Sequence, residues 1–110
     1  MMIVATMKVK RSELEAFRSF EGLAARIMQR HGGALERAVF VDSGEGDWVR
    51  EVHLVRFDDA AAFERYREDQ ELKSHAALRE RCVLETEVLV GDEVDYYSSS
   101  IGSGSGNTAS

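Results

Sequence analysis

Several protein classes are set aside by what this sequence does not contain. Its single cysteine, Cys82, leaves no partner for an internal disulfide, and a reducing cytoplasm is the expected setting. No run approaches the roughly 20 apolar residues of a membrane span. The N-terminus reads without a signal-like apolar stretch and cleavage site. Basic residues are outnumbered, 14 against 20 acidic, for a net charge of −6. Nucleic acid and anionic membranes both call for clustered positive charge, so neither is expected as a main partner. The three histidines show no i, i+4 pairing, and no metal site is expected. Gly44-Glu45-Gly46 precedes a strand rather than a helix and lies among acidic residues, the wrong context for a phosphate cradle. No local motif supports a Ser or Cys nucleophile.

What is present suits one domain. The length of 110 residues matches a typical domain, and 44% hydrophobic residues suit a packed core. A chain this short buries only about two-thirds of its unfolded surface, which makes oligomerisation a natural supplement.

Residues 2–9 read as a strand buried on both faces. Ser12 and Glu15 have the spacing of a capping box, and Leu14, Phe17, Phe20, Ala24, Ile27, Met28 and His31 recur at helical spacing. With Gly32 and Gly33 as a left-handed stop, the first helix covers about 13–31. Residues 34–42 read as a second strand, 43–47 as a glycine-containing turn and 48–57 as a third strand, so these two strands form a hairpin. Asp58 or Asp59 caps a helix holding Ala62, Phe63 and Tyr66. Asp69 caps a further helical piece with Leu72, Ala76 and Cys82 on its inner side. Residues 83–90 read as a fourth strand, followed by an acidic extension to Tyr97. The domain is expected over 1–97, and 98–110 is a Ser/Gly-rich stretch expected to be a flexible tail.

The order β-α-β-β-α-β is the ferredoxin-like split βαβ motif: an α+β fold with a four-stranded antiparallel sheet and helices on one face. Its first and third strands are central. The other sheet face also carries apolar groups, Val4, Val52 and Leu54 among them, and a second subunit is the simplest cover. A homodimer with two facing sheets is therefore expected.

Residues 52–78, VHLVRFDDAAAFERYREDQELKSHAAL, resemble the dimeric α+β barrel proteins. That superfamily includes antibiotic-biosynthesis-monooxygenase-like domains, stress-responsive barrel domains and uncharacterised small families. The shared pattern is a strand ending in an aromatic, an acidic cap, an Ala-Phe pair and an aromatic or His three residues on: here Phe57, Asp59, Ala62, Phe63 and Tyr66. Gln70 stands where relatives often carry proline, a residue this chain lacks altogether. The resemblance implies a small-molecule pocket and a cofactor-independent monooxygenase or isomerase, with no cofactor. Haem-degrading relatives carry Trp at the position of Phe57 and His near Tyr66. Both are missing here, and with them an axial ligand for iron.

Glu51 and His53 are the leading candidates. Two apart on one strand, they share a face, about 6.6 Å apart along the chain. A carboxylate beside an imidazole orients it and raises its basicity, the arrangement of a general base. The same pair also suits a sheet margin or subunit seam, and the sequence leaves both readings open. Tyr66 faces the sheet with Phe63 and is the third catalytic candidate. Trp48, Arg50 and Arg56 take the opposite strand face from His53; Trp48 and Arg50 suit an aromatic or carboxylate anion, or salt-bridged surface positions. Phe57, Phe63 and His75 complete the substrate-binding candidates. His31 suits the negative end of the first helix. The run Glu85, Glu87, Asp92, Glu93, Asp95 reads as a solvated edge. The alternative function is a non-catalytic homodimeric ligand-binding or assembly module.

Overall fold

The computed structural model describes residues 1–97, and the expected tail at 98–110 lies outside the described residues. Four strands form one antiparallel sheet: β1 Met2–Lys10, β2 Gly33–Val41, β3 Trp48–Phe57 and β4 Val83–Gly91. Their order is β2-β3-β1-β4, so β1 and β3 are central, as expected. Helices α1 Leu14–Arg30, α2 Ala60–Arg67, α3 Gln70–Ser74 and α4 Ala76–Cys82 complete the fold. The helical piece expected after Asp69 is two short helices, broken at His75.

The expected capping box at Ser12 and Glu15 does not form. A single 3₁₀ turn, Arg11–Glu13, leads into α1 instead, and no side chain caps either start. The physical reason is a tether. Arg11 donates its backbone N–H to the Asp47 carbonyl at 2.8 Å, and its guanidinium holds both Asp42 carboxylate oxygens at 2.7 and 2.9 Å. The chain is thus pinned to the β2–β3 loop, and Ser12 falls inside the turn rather than in the extended conformation an N-cap needs.

The other caps follow the sequence. The Asp59 carboxylate accepts the Ala62 N–H at 2.8 Å. Asp69 accepts from Glu71 and Leu72 at 2.9 and 3.1 Å. His31 at the end of α1 also reaches Asp69, 2.8 Å from Nε2, so it links two helices as well as facing the α1 dipole. Gly32 takes φ 77°, and Gly33 lies so close to Phe57 and Met28 that a Cβ there would collide with both side chains.

All helices lie against one sheet face. Ile3, Val55, Phe57, Met28 and Ala62 form one buried cluster, and Met7, Val9, Phe17, Val49 and Cys82 form another. On the opposite face Val4, Val39, Val41 and Leu89 are exposed in the single chain. Pairing places Val4 between Leu54 and Leu89, and Val39 beside Val52, so this apolar surface is continuous across the sheet. In the single chain β1 is therefore buried mainly on its helix side, with Val4 left 36% exposed.

Candidate functional site

The alternation of β3 decides the site. Val49, Glu51, His53, Val55 and Phe57 face the helices, and burial is concentrated on these positions. His53 is 4% exposed, the buried polar side chain among the described residues. Its Nε2 lies 2.8 Å from Glu51 Oε1. Its Nδ1 lies 3.7 Å from Glu21 Oε1 on α1, close enough for attraction and too far for a hydrogen bond. When Nε2–H is donated to Glu51, Nδ1 keeps its lone pair and serves as the basic nitrogen.

His53 lines a cavity of about 300 Å³ between the sheet and the four helices. Ile3, Met7, Phe20 and Val55 supply apolar wall, and Phe63 and Tyr66 close it from α2. Its polar groups are His53, Glu21, Tyr66, Thr86, Lys73 and Arg79. Arg79 donates to the Thr86 hydroxyl at 2.9 Å, and Lys73 is held by Glu68 at 2.6 Å. This is the usual composition of a small-molecule site: mostly apolar, with a few convergent polar groups.

Burial is the main influence on two of these groups. It pushes the Glu21 carboxyl above the usual range, with Glu51 adding and the charges of His53 and Arg79 opposing. It pushes the Tyr66 hydroxyl up to about 12, again with a nearby carboxylate, Glu21, adding. Tyr66 therefore stays a neutral hydrogen-bond donor through the physiological range.

The structure brings His53, Glu51 and Tyr66 to the same side of the sheet, with Phe63 in the cavity wall. Phe57 lies behind that wall, 1% exposed, with its ring 5.3 Å from Phe63 and 5.4 Å from Tyr66. It supports the site without lining it. His75 sits at the α3–α4 break and is not among the lining residues. Trp48 and Arg50 are on the far face: Arg50 stacks 5.2 Å from the Trp48 ring, and Lys8 lies 4.3 Å above it. They are therefore separated from His53 by the sheet itself, and Arg50 cannot steady an anion formed beside His53.

Four polar cavity residues, Glu21, Lys73, Arg79 and Thr86, were missed by the sequence reasoning. Glu21 follows Phe17 by four and precedes Ala24 by three, so it belongs to the inner stripe of α1. Arg79 lies between Ala76 and Cys82 at helical spacing. A charge inside an otherwise apolar stripe was the available signal. The chain holds no group of three or more His, Cys, Asp or Glu side chains arranged for a metal ion among the described residues. Glu21 and Glu51 meet opposite ring nitrogens of His53, so the three cannot converge on one ion.

No protein-family model matches the chain. No curated protein matches it by sequence. Solved structures do share its fold. Protein Atu4242 from Agrobacterium tumefaciens is 18% identical, with a TM-score of 0.68 over 86% of this chain and 94% of that one. A protein from Nitrosomonas europaea, provisionally described as an antibiotic biosynthesis monooxygenase, is 14% identical, with a TM-score of 0.66 over 84% and 88%. SnoaB, a cofactor-independent oxygenase from Streptomyces nogalater, is 14% identical, with a TM-score of 0.55 over 84% and 95%. The fold is thus that of the antibiotic-biosynthesis-monooxygenase-like proteins, as residues 52–78 led one to expect. Identities this low carry the fold and no residue role.

Proposed function

We propose that the chain binds a small, largely apolar organic molecule in the cavity and removes a proton from it, as a cofactor-independent oxygenase or isomerase. The observation that carries this reading is His53: a buried imidazole in the wall of an apolar cavity, with Nε2 held 2.8 Å from Glu51. Orientation by a carboxylate is what a general base needs. Nδ1 accepts the proton of an acidic C–H or O–H, and the electron pair remains on the substrate as an anion. The Tyr66 hydroxyl donates a hydrogen bond to that anion. The anion then reacts with dioxygen in an oxygenase, or regains a proton at another carbon in an isomerase. The shared fold with SnoaB, a cofactor-independent oxygenase, supports this class of chemistry.

A second copy of the chain is part of the proposal. The groove through Val4, Leu54 and Leu89, rimmed by Glu36, Arg37, Arg56, Asp92 and Glu93, is the surface it would cover. Such a copy would also bury the exposed Val4, Val39, Val41 and Leu89 of that sheet face.

Native mass spectrometry of freshly purified protein tests the reading. A dimer with extra non-covalent mass is expected, and the mass identifies the ligand. Oxygen uptake or solvent-deuterium incorporation with that ligand should then vanish in His53→Ala. Turnover that survives this substitution overturns the assignment of the base, and a dimer that holds ligand without turning it over favours a non-catalytic binding module.

A further inference from the structure

The proposed reaction leaves a proton on His53, in a side chain only 5% exposed. In any turnover where the proton that returns to the product does not come from His53 itself, this one has to leave before the next. We propose that Glu21 is the group that receives it, so that β3 and α1 together form a proton relay between the cavity and water. This inference rests on the reading of His53 as the base.

The geometry distinguishes the two carboxylates. Glu51 holds Nε2 at hydrogen-bond distance and is not in the cavity wall, so it orients the ring. Glu21 faces Nδ1, the nitrogen that collects the proton, and lines the cavity itself. Its distance of 3.7 Å leaves the neutral imidazole free to accept from substrate. Once His53 is charged, attraction across so short a gap in a poorly hydrated site draws the two together. The Glu21 side chain is 19% exposed, and this contact with water lets the proton exchange out.

The transfer balances without any further reactant. The Nδ1–H bond breaks, an O–H bond forms on Glu21, and His53 returns to the neutral ring with Nε2–H still on Glu51. Glu21 then yields its proton to water. Burial raises the proton affinity of Glu21 towards that of imidazole, which makes the handover less uphill than to an ordinary carboxylate. The charged and titratable groups facing Glu21 are His53 and Glu51 from β3, Arg79 from α4 and Tyr66 from α2. Arg79 favours the carboxylate form, which restores the acceptor after each release.

Nuclear magnetic resonance of the intact protein tests this without a substrate. Ring ¹⁵N shifts of His53 and the carboxyl ¹³C shift of Glu21 are followed against pH, together with solvent exchange of the His53 ring protons. In the unmodified chain the neutral ring should be the Nε2–H form. Glu21→Gln should slow exchange of the Nδ1 proton several-fold, with Glu21→Asp restoring part of the rate. A packing role for Glu21 would leave exchange untouched. Unchanged exchange in a folded Glu21→Gln variant overturns the relay while leaving His53 as base. Should that variant fail to fold, exchange in Glu21→Asp as fast as in the unmodified chain overturns it instead. An Nδ1–H neutral ring removes the base reading itself.

Discussion

Glu51 and His53, two residues apart on β3, are joined by a 2.8 Å hydrogen bond on the buried side of the sheet. Neither side chain is exposed enough for water to replace the other. Glu51→Ala therefore leaves a buried ring nitrogen unpaired and should cost about 1–3 kcal/mol of stability. Glu15→Ala, at an exposed position on α1, should stay within about 0.5 kcal/mol. Urea unfolding of both variants checks the contrast, and equal losses would count against a structural hold on His53.

Tyr66 gives a signature at high pH. Its hydroxyl titrates at about 12 in the folded chain against an ordinary value of 10.0. A raised value means that the folded state keeps the proton longer than the unfolded one. The corresponding stability is fully present below pH 10 and is lost as pH rises through about 12. Tyr66→Phe removes the titrating group, so this part of the alkaline decline should disappear from thermal melts between those limits.

At low pH the tether of Arg11 to Asp42 gives the opposite sign. The guanidinium holds the Asp42 carboxyl at about 2, below its ordinary 3.8. Its contribution is present above the ordinary value and lost as pH falls through about 2. Both partners are solvent-exposed, so the effect should be small and weakened by salt. Comparing acid unfolding of the unmodified chain and Asp42→Asn at low and high salt reads it directly.

Leu89 on β4 is 55% exposed and sits in the apolar stripe with Val4 and Leu54. Leu89→Arg should leave the single chain folded and shift native mass spectra from dimer to monomer. A dimer that persists would place the contact between copies elsewhere.

Gly33 has no room for a side chain between Phe57 and Met28. Gly33→Ala should destabilise by about 1–3 kcal/mol through overpacking. Because Phe57 supports Phe63 and Tyr66, ligand binding should weaken as well. Calorimetry with and without ligand separates the two effects.

Much of the fold was legible because local rules write it into short stretches. Alternation within Trp48–Phe57, the acidic caps at Asp59 and Asp69 and the stop at Gly32 each follow from steric and hydrogen-bonding preferences of a few neighbours. The capping box at Ser12 failed for a non-local reason: a loop distant in sequence, at Asp42 and Asp47, holds Arg11.

The site divides in the same way. By itself the sequence determined that Glu51 and His53 share one face of a strand and that Trp48 and Arg50 share the other, because side-chain direction in a strand has period two. Only the tertiary structure decided which face the helices cover. That choice buries His53 beside Glu21 and Tyr66 and leaves Trp48 and Arg50 outside. It depends on how α1 and α2 pack across the whole sheet, a balance of apolar surfaces far apart in the chain that no single stretch encodes.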